Sequence, residues 1–208
     1  MNAQDARAFV FDHWHVPRET QHRLDELVHL VVSENNRQNL ISQSTVDTIW
    51  TRHILDSVQL VDHAPEAGSW LDLGSGAGFP GLVIAILRAH PTLLVESRRL
   101  RSNFLKTLVA KLGLSHVTVI GDKIENFPTQ SVDVISARAF APLTKIFVVA
   151  ERFAHAKTVW VLPKGRGAQE ELAVARESWQ GVFHVKPSIT ESDAAIIVAQ
   201  HVRPKGKA

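Results

Sequence analysis

Apolar residues recur at helical spacing in the first third of the chain. Leu24, Leu27 and Val31 lie three or four positions apart, and a second segment of this kind follows closer to the middle. Apolar positions at this spacing share one face of an α-helix. The pattern therefore predicts two amphipathic helices, one from Pro17 to about Asn35 and one from Thr45 to Asp62.

After Pro65 the pattern changes to short apolar runs separated by helical stretches. The first five runs are Trp70–Leu73, Leu93–Val95, Val117–Ile120, Val132–Ile135 and Val159–Leu162. Strands that alternate with helices form a mostly parallel sheet covered on both faces. Two later runs, Val182–Val185 and Ala194–Ala199, have no long helix between them, which predicts an antiparallel hairpin at one edge of the sheet.

The predicted fold class is α/β: a doubly wound, Rossmann-like sheet, mostly parallel with an antiparallel edge, preceded by a helical extension. We assign residues 1–66 to the N-terminal helical extension and residues 67–208 to the sheet domain. A helix is expected from Arg98 to Leu112. Its core-facing stripe is predicted to consist of Leu100, Phe104, Leu108 and Leu112, and its solvated face to carry Arg98, Arg99 and Lys106.

Composition narrows the functional classes. The chain has 208 residues and is 45% hydrophobic, which suits one core, and its formal net charge of +2 leaves only a local patch for binding nucleic acid. The absence of cysteine excludes disulfides, thiolate metal sites and cysteine nucleophiles. The histidines show no metal-ligand spacing, so we expect no metal. No signal peptide or membrane span is recognisable, and we expect a soluble, cytoplasmic protein without membrane contact.

A glycine-rich segment, Leu71–Gly81, follows the first predicted strand and precedes a predicted helix. Gly74 and Gly76 allow a sharp turn and a close approach of the backbone to a ligand, and the next helix offers unpaired N–H groups. The spacing also satisfies the fingerprint of a dinucleotide site. A plain strand–turn–helix connection is the non-functional alternative.

Three features favour S-adenosylmethionine over a dinucleotide as the cofactor. Asp72 ends the strand, where a carboxylate can meet the cofactor's positively charged amino-acid end. Phe79 and Pro80 occupy the turn, where a pyrophosphate prefers bare N–H donors. The chain also lacks room for the substrate domain that dehydrogenases of this fold usually carry.

Acidic residues after the next two strands extend this candidate cofactor site. Glu96 follows the second strand, where a carboxylate can accept both ribose hydroxyls; a solvated strand-end charge is the alternative. After the third strand, Ile124 can pack on the adenine ring and Glu125 can accept its amine. Alternatively, Glu125 only stabilises a helix N-terminus.

The residues also restrict the acceptor of the methyl group. Pyrimidine C5 methylation uses a cysteine nucleophile, and the Asn/Asp-Pro-Pro-aromatic turn that grips an exocyclic amine is missing after the fourth strand. Ring nitrogens, such as guanine N7, and hydroxyls with a base remain. Arg138 and Lys164 follow the fourth and fifth strands and suit phosphate or carboxylate contact, although either is also compatible with an ordinary surface cation.

The chain resembles the bacterial small-subunit rRNA guanine-N7 methyltransferases, also called the glucose-inhibited division protein B family. The resemblance covers almost the whole chain and is carried by five segments: Asn39–Ser42, Arg52–Ser57, Asp72–Gly81, Ala137–Ala139 and Leu162–Gly165. Two departures stand out. Ile41 replaces the family's usual threonine, and the chain reads Glu191–Ala195 where the family tends to have a Gly-x-Arg segment.

The resemblance implies a class I methyltransferase that uses S-adenosylmethionine to methylate N7 of one guanine in 16S rRNA, in the loop near the decoding centre. By this resemblance the cofactor touches Gly74, Phe79, Glu96, Ile124, Glu125 and Arg138. Asn39, His53, Arg138 and Lys164 would surround the guanine or its phosphates, with the helical extension as the substrate-side wall.

The partner is then 16S rRNA or the small ribosomal subunit, including an assembly intermediate, and the protein is expected to be a monomer. Arg203, Lys205 and Lys207 in the tail are candidates for further RNA contacts. Two rival functions stay open: a small-molecule methyltransferase, and a non-catalytic RNA- or ribosome-binding module that retained the fold.

Overall fold

A seven-stranded sheet forms the centre of the computed structural model, which describes residues 1–206. The strands are β1 Trp70–Leu73, β2 Thr92–Val95, β3 Val117–Ile120, β4 Val132–Ala137, β5 Ala154–Lys164, β6 Trp179–Pro187 and β7 Ala195–Pro204. Their order is β3-β2-β1-β4-β5-β7-β6, with β1 to β5 parallel and β7 antiparallel to both β5 and β6. The predicted parallel sheet with an antiparallel edge is confirmed.

Helices cover both faces of this sheet. They are α1 Ala3–His13, α2 Arg18–Gln38, α3 Asp56–Val58, α4 Gly81–Leu87, α5 Arg99–Lys111, α6 Leu143–Ala150 and α7 Ala168–Ser178. One apolar core joins α1 and α2 to α4 and α5, whereas a second core on the other face joins α6 and α7 to the strands. Within residues 1–206, no helix combines the length and the hydropathy that a membrane span requires.

The helical extension differs from the prediction in two ways. Helix α1 was not predicted, and the second predicted helix is not one regular α-helix. Residues 43–45 form a separate 3₁₀ turn, and the later helical stretch combines a π-helical segment, Trp50–Leu55, with α3 and a 3₁₀ segment, Gln59–His63. Apolar positions three or four residues apart indicate a helical stretch but do not reveal which backbone hydrogen-bonding pattern closes each turn. Insertions of π-helix often mark functional sites.

The predicted stripe on α5 is wrong at its N-terminal end. Leu100 is 67% exposed, whereas Leu105 and Leu108 are fully buried. Residues spaced by four drift about 40° per step around a helix of 3.6 residues per turn. A row from Leu100 to Leu112 therefore winds away from the core, and Leu105 takes the position facing the sheet.

The carboxyl ends of the parallel strands meet at one edge of the sheet. The chain builds β1, β2 and β3 in one direction and then returns to place β4 on the other side of β1. This reversal is the topological switch point, where sheets of this kind bind ligands. The glycine-rich segment, Glu96, Ile124 and Arg138 all follow strands at this edge, and Lys164 ends β5 there.

Candidate active site

Three adjoining cavities lie at this edge, and we name each by one residue in its wall. The glutamate cavity, of about 490 Å³, contains Glu96; the histidine cavity, of about 440 Å³, contains His53; and the lysine cavity, of about 460 Å³, contains Lys164. Gly74 lines the first two and Arg138 the last two. The structure thus assembles residues from β1, β2, β4, β5 and the helical extension around one space.

The carboxylate of Glu96 is fixed in the wall of the glutamate cavity. Glu96 is only 6% exposed, and its two oxygens accept hydrogen bonds from the backbone N–H groups of Gly76 at 3.2 Å and Arg98 at 2.8 Å. Because each carboxylate oxygen has two lone pairs, both oxygens keep acceptor capacity toward the cavity. The second glycine of the loop thus orients the predicted ribose-binding group.

Ile124 and Glu125, at the start of a 3₁₀ segment, also line the glutamate cavity. Ile124 is buried and offers an apolar surface, while the carboxylate of Glu125 is half exposed and lies 3.8 Å from the Lys145 ammonium. The two residues that were predicted to contact an adenine ring and its amine thus line the same cavity.

Gly74 adopts a backbone conformation that favours glycine. Its φ is +70°, and a Cβ at this position would lie 2.6 Å from Cδ2 of Phe140. Asp72, in contrast, does not face the cavities as expected. Its side chain is fully buried, accepting hydrogen bonds from Ser136 Oγ at 2.7 Å and from the backbone N–H of Gly81 at 3.2 Å. The carboxylate therefore holds the start of α4 rather than a ligand.

His53, in the π-helical segment, has both ring nitrogens engaged. Nδ1 lies 2.9 Å from a guanidinium nitrogen of Arg138, and Nε2 lies 2.9 Å from Oγ1 of Thr45. The imidazole also stacks on Phe79, with ring centroids 5.0 Å apart. An arginine only donates, so Nδ1 accepts and Nε2 carries the proton that it donates to Thr45.

The environment of His53 keeps its imidazole neutral. Burial, with additional repulsion from Arg138 and Arg52, lowers the pKa of His53 to about 3. With Nδ1 already accepting a hydrogen bond, the neutral ring has no free lone pair for a proton. This geometry favours a positioning role for His53 over that of a general base.

Arg138 is held by the extension as well as by His53. Its guanidinium donates to the carbonyl oxygen of Arg52 at 3.1 Å and to Oδ2 of Asp56 at 3.2 Å, and lies 5.5 Å from the ring centre of Phe79. Sequence reasoning missed Asp56. The available signal was its position four residues after Arg52, in the segment Arg52–Ser57 that carries part of the resemblance.

The loop between β6 and β7 also reaches the site, which the sequence did not predict. Glu191 forms an ion pair with Arg52, and Thr190 Oγ1 donates to Oδ1 of Asp56 at 2.9 Å. Arg52 and Glu191 both line the histidine cavity. The segment that departs from the family pattern is thus part of the cavity wall.

The remaining predicted residues differ in their placement. Lys164 lines the lysine cavity, but its ammonium donates to Glu171 Oε2 and to the Ala141 carbonyl, each at 2.8 Å. Asn39 ends α2 in a left-handed conformation at the rim, where its carbonyl oxygen lies 3.5 Å from Arg101. The following residues, Leu40–Ser42, line the histidine cavity.

The basic tail lies away from these cavities. Lys164 pairs with Ala195 at the start of β7, which runs antiparallel to β5. The end of β7, with Arg203, therefore lies near the amino-terminal ends of the parallel strands, opposite to the cavities. Lys205 continues from there, and Lys207 lies outside the described residues. Residues 1–206 contain no group of three or more histidine and acidic side chains placed to hold a metal ion.

The sequence matches known proteins over nearly its full length. The model of a family described as rRNA small subunit methyltransferase G matches residues 20–197. A ribosomal RNA small subunit methyltransferase G from Rhizorhabdus wittichii is 50% identical and covers 100% of this chain and 96% of its own. A protein of the same name from Zymomonas mobilis is 44% identical, with 99% and 96% covered.

Solved structures agree at the level of the fold. A crystal structure of a SAM-dependent methyltransferase from Aquifex aeolicus has a TM-score of 0.60 and 15% sequence identity, and the match covers 78% of this chain and 95% of that one. Such low identity supports the fold alone, whereas the sequence relatives and the family model extend to the extension and the cavity walls. The chain belongs to the rRNA small subunit methyltransferase G family.

Proposed function

We propose that the protein transfers a methyl group from S-adenosylmethionine to N7 of one guanine in 16S rRNA, in the loop near the decoding centre. The observation that carries the proposal is the neutral imidazole of His53, with both nitrogens engaged, beside the fixed guanidinium of Arg138. This pair adjoins the cavity that contains Gly74 and Glu96.

The glutamate cavity suits the cofactor in size and chemistry. Its volume of about 490 Å³ falls within the usual range of ligand pockets. Glu96 would accept hydrogen bonds from the ribose hydroxyls, and Ile124 and Glu125 would contact the adenine. Gly74 and Gly76 would allow the protein backbone to come close to the amino-acid end of the cofactor. When bound, S-adenosylmethionine supplies a methyl group on a positively charged sulfur.

The histidine cavity suits an acceptor that is already nucleophilic. Guanine N7 has a free lone pair, so methylation there requires no proton removal, and the protein contributes alignment and electrostatics. His53 cannot accept a proton without losing its hydrogen bond to Arg138. In this proposal Phe79 and His53 form a stacked wall, and Asn39 lies at the rim on the extension side.

The histidine cavity is lined by arginines, two of which are also paired with carboxylates: Arg52 with Glu191 and Arg138 with Asp56. Arg52, Arg101 and Arg138 line the histidine cavity, which has walls from both the extension and the sheet domain. Arginines commonly position nucleic acids through their phosphates. We propose residues 1–66 as the substrate-side wall. A monomer would act in the cytoplasm on 16S rRNA, either free or within a mature or assembling small subunit.

Salt dependence tests the proposed RNA contact at Arg138. Removing one phosphate-binding cation should reduce the slope of log affinity against log salt by roughly 0.7–0.9. We expect such a reduction for Arg138→Ala in binding to 16S rRNA. Lys157→Ala, with the same charge change at an exposed position in the first half of β5, is the matched control and should leave the slope unchanged. A salt-insensitive affinity in the wild type would refute the phosphate contact.

A further inference from the structure

Lys164 and Glu171 form an ion pair in the wall of the lysine cavity. The Lys164 side chain is 10% exposed and that of Glu171 36% exposed, and the two charged groups are 2.8 Å apart. Lys164 ends β5, and Glu171 lies in the first half of α7. A charge so close to its partner is largely neutralised, and two of the three N–H groups of this ammonium are already used within the protein.

The ion pair binds the backbone of the segment that connects β4 to α6. Lys164 donates to the carbonyl oxygen of Ala141, and Glu171 Oε2 accepts from the backbone N–H of Leu143 at 3.1 Å. Leu143 begins α6, and Pro142 before it provides no side-chain cap. Glu171 therefore caps α6 from a different helix, satisfying one of its free N–H groups.

The clamped segment carries a strained residue next to the site. Ala139 has a φ of +51°, in the left-handed region that disfavours residues with a Cβ. Such strain persists only where surrounding contacts over-determine the backbone. On either side of Ala139 lie Arg138, bound to His53, and Phe140, which lies against Gly74 between the glutamate and lysine cavities.

We infer that Lys164 and Glu171 act as a clamp that holds the segment from Arg138 to Leu143 in this strained conformation, and that Glu171 is a positioning residue for methyl transfer. The expected effect on catalysis rests on the proposed function. Lys164 then acts through its hydrogen bond to Ala141 rather than by contacting an RNA phosphate. Phe140 and Arg138, which flank Ala139 in the chain, are then in place before the substrate arrives.

The variant Glu171→Gln tests the clamp, because it retains the side-chain shape and removes the charge. Glu170→Gln is the matched control: its side chain is the exposed neighbour on the same helix turn, with the same change in charge. We expect kcat for methyl transfer to 16S rRNA to fall at least tenfold in Glu171→Gln. The KM for RNA and its salt dependence should stay the same, and Glu170→Gln should match the wild type.

Hydrogen exchange tests the clamp independently of any RNA activity. The backbone amide of Leu143, which donates to Glu171, should exchange at least tenfold faster in Glu171→Gln than in Glu170→Gln, while the amides of β1 stay unchanged. If the wild type transfers no methyl group to 16S rRNA, the proposed function fails, and the exchange data still decide whether the clamp exists.

Lys164→Met and the double variant separate the clamp from a phosphate contact. If the two residues act as one unit, the double variant should be no slower than the slower single variant. A drop in the RNA salt slope in Lys164→Met alone would overturn the inference and make Lys164 a phosphate contact. In Glu171→Gln, unchanged hydrogen exchange would also overturn the inference. So would faster exchange that is accompanied by an unchanged kcat.

Discussion

Replacing Gly74 by alanine separates the role of this residue in ligand binding from its role in backbone geometry. At φ +70° an alanine is strained by roughly 1–2 kcal/mol, and its Cβ would lie 2.6 Å from Phe140 at the wall shared by two cavities. The Phe140 side chain is partly exposed, so it can move and the fold should survive. The new methyl group then occupies the place where the backbone meets the cofactor.

Gly113 provides the matched control. Its φ is +64°, and a Cβ added there would meet nothing within 4 Å. Gly113→Ala should therefore lose a similar 1–2 kcal/mol of unfolding free energy, which lowers the melting temperature by roughly 2–4 °C per kcal/mol in a protein of this size. The same loss is expected in Gly74→Ala, apart from the adjustment of Phe140.

Calorimetric titration with S-adenosylmethionine then distinguishes the two variants. Gly74→Ala should raise the Kd at least tenfold, about 1.4 kcal/mol, whereas Gly113→Ala should bind like the wild type. Equal affinities in the two variants would refute the assignment of Gly74 to the cofactor site. Tight binding of NAD by the wild type would refute the choice of cofactor.

Three further predictions concern ionisable groups in or beside the site. Glu96→Gln should weaken cofactor binding by about 1–3 kcal/mol without altering which nucleotide is modified, as measured by calorimetry and by mapping of the product; an unchanged Kd would place the carboxylate outside the ribose site. Because the pKa of His53 is lowered to about 3, the single-turnover rate should be nearly flat from about pH 6.5 to 8.5, and His53→Asn should keep partial activity. A log-linear rise over that range would identify a required base. Burial raises the pKa of the Asp72 carboxyl to about 6, above its unfolded value, so the stability it contributes is present below about pH 4 and lost as the pH rises through 6. Denaturant titrations should show this loss in the wild type and not in Asp72→Asn; parallel pH profiles would contradict the buried charge.

Local sequence signals predicted the sheet and the residues on the cofactor side of the candidate site. Strand–glycine loop–helix order, acidic residues after the strands and Arg138 after β4 all depend on short segments, and the carboxyl ends of parallel strands necessarily meet at one edge. The cofactor-side residues Gly74, Glu96 and Ile124 could therefore be predicted one by one. The fold places them around one cavity.

The partners of these residues depend on contacts between distant segments. Asp56 and Arg138 are 82 positions apart, and neither the pairing of Arg52 with Glu191 nor that of Lys164 with Glu171 follows from spacing. A charged residue in the sequence is equally compatible with a surface group or a site group, and burial decides between them. The buried side chain of Asp72 is a further example, since the sequence does not show whether a carboxylate near the end of a strand points to a ligand or into the protein.

The position of the transferred methyl group tests the central claim most directly. Wild-type protein, labelled S-adenosylmethionine and total bacterial RNA lacking this modification should give label in 16S rRNA at one guanine. Borohydride reduction followed by aniline should then cleave the chain there, as it does at N7-methylguanine, and Gly74→Ala should give little product. Label in small molecules only, or at a 16S rRNA nucleotide that resists this cleavage, would contradict N7 methylation of a guanine.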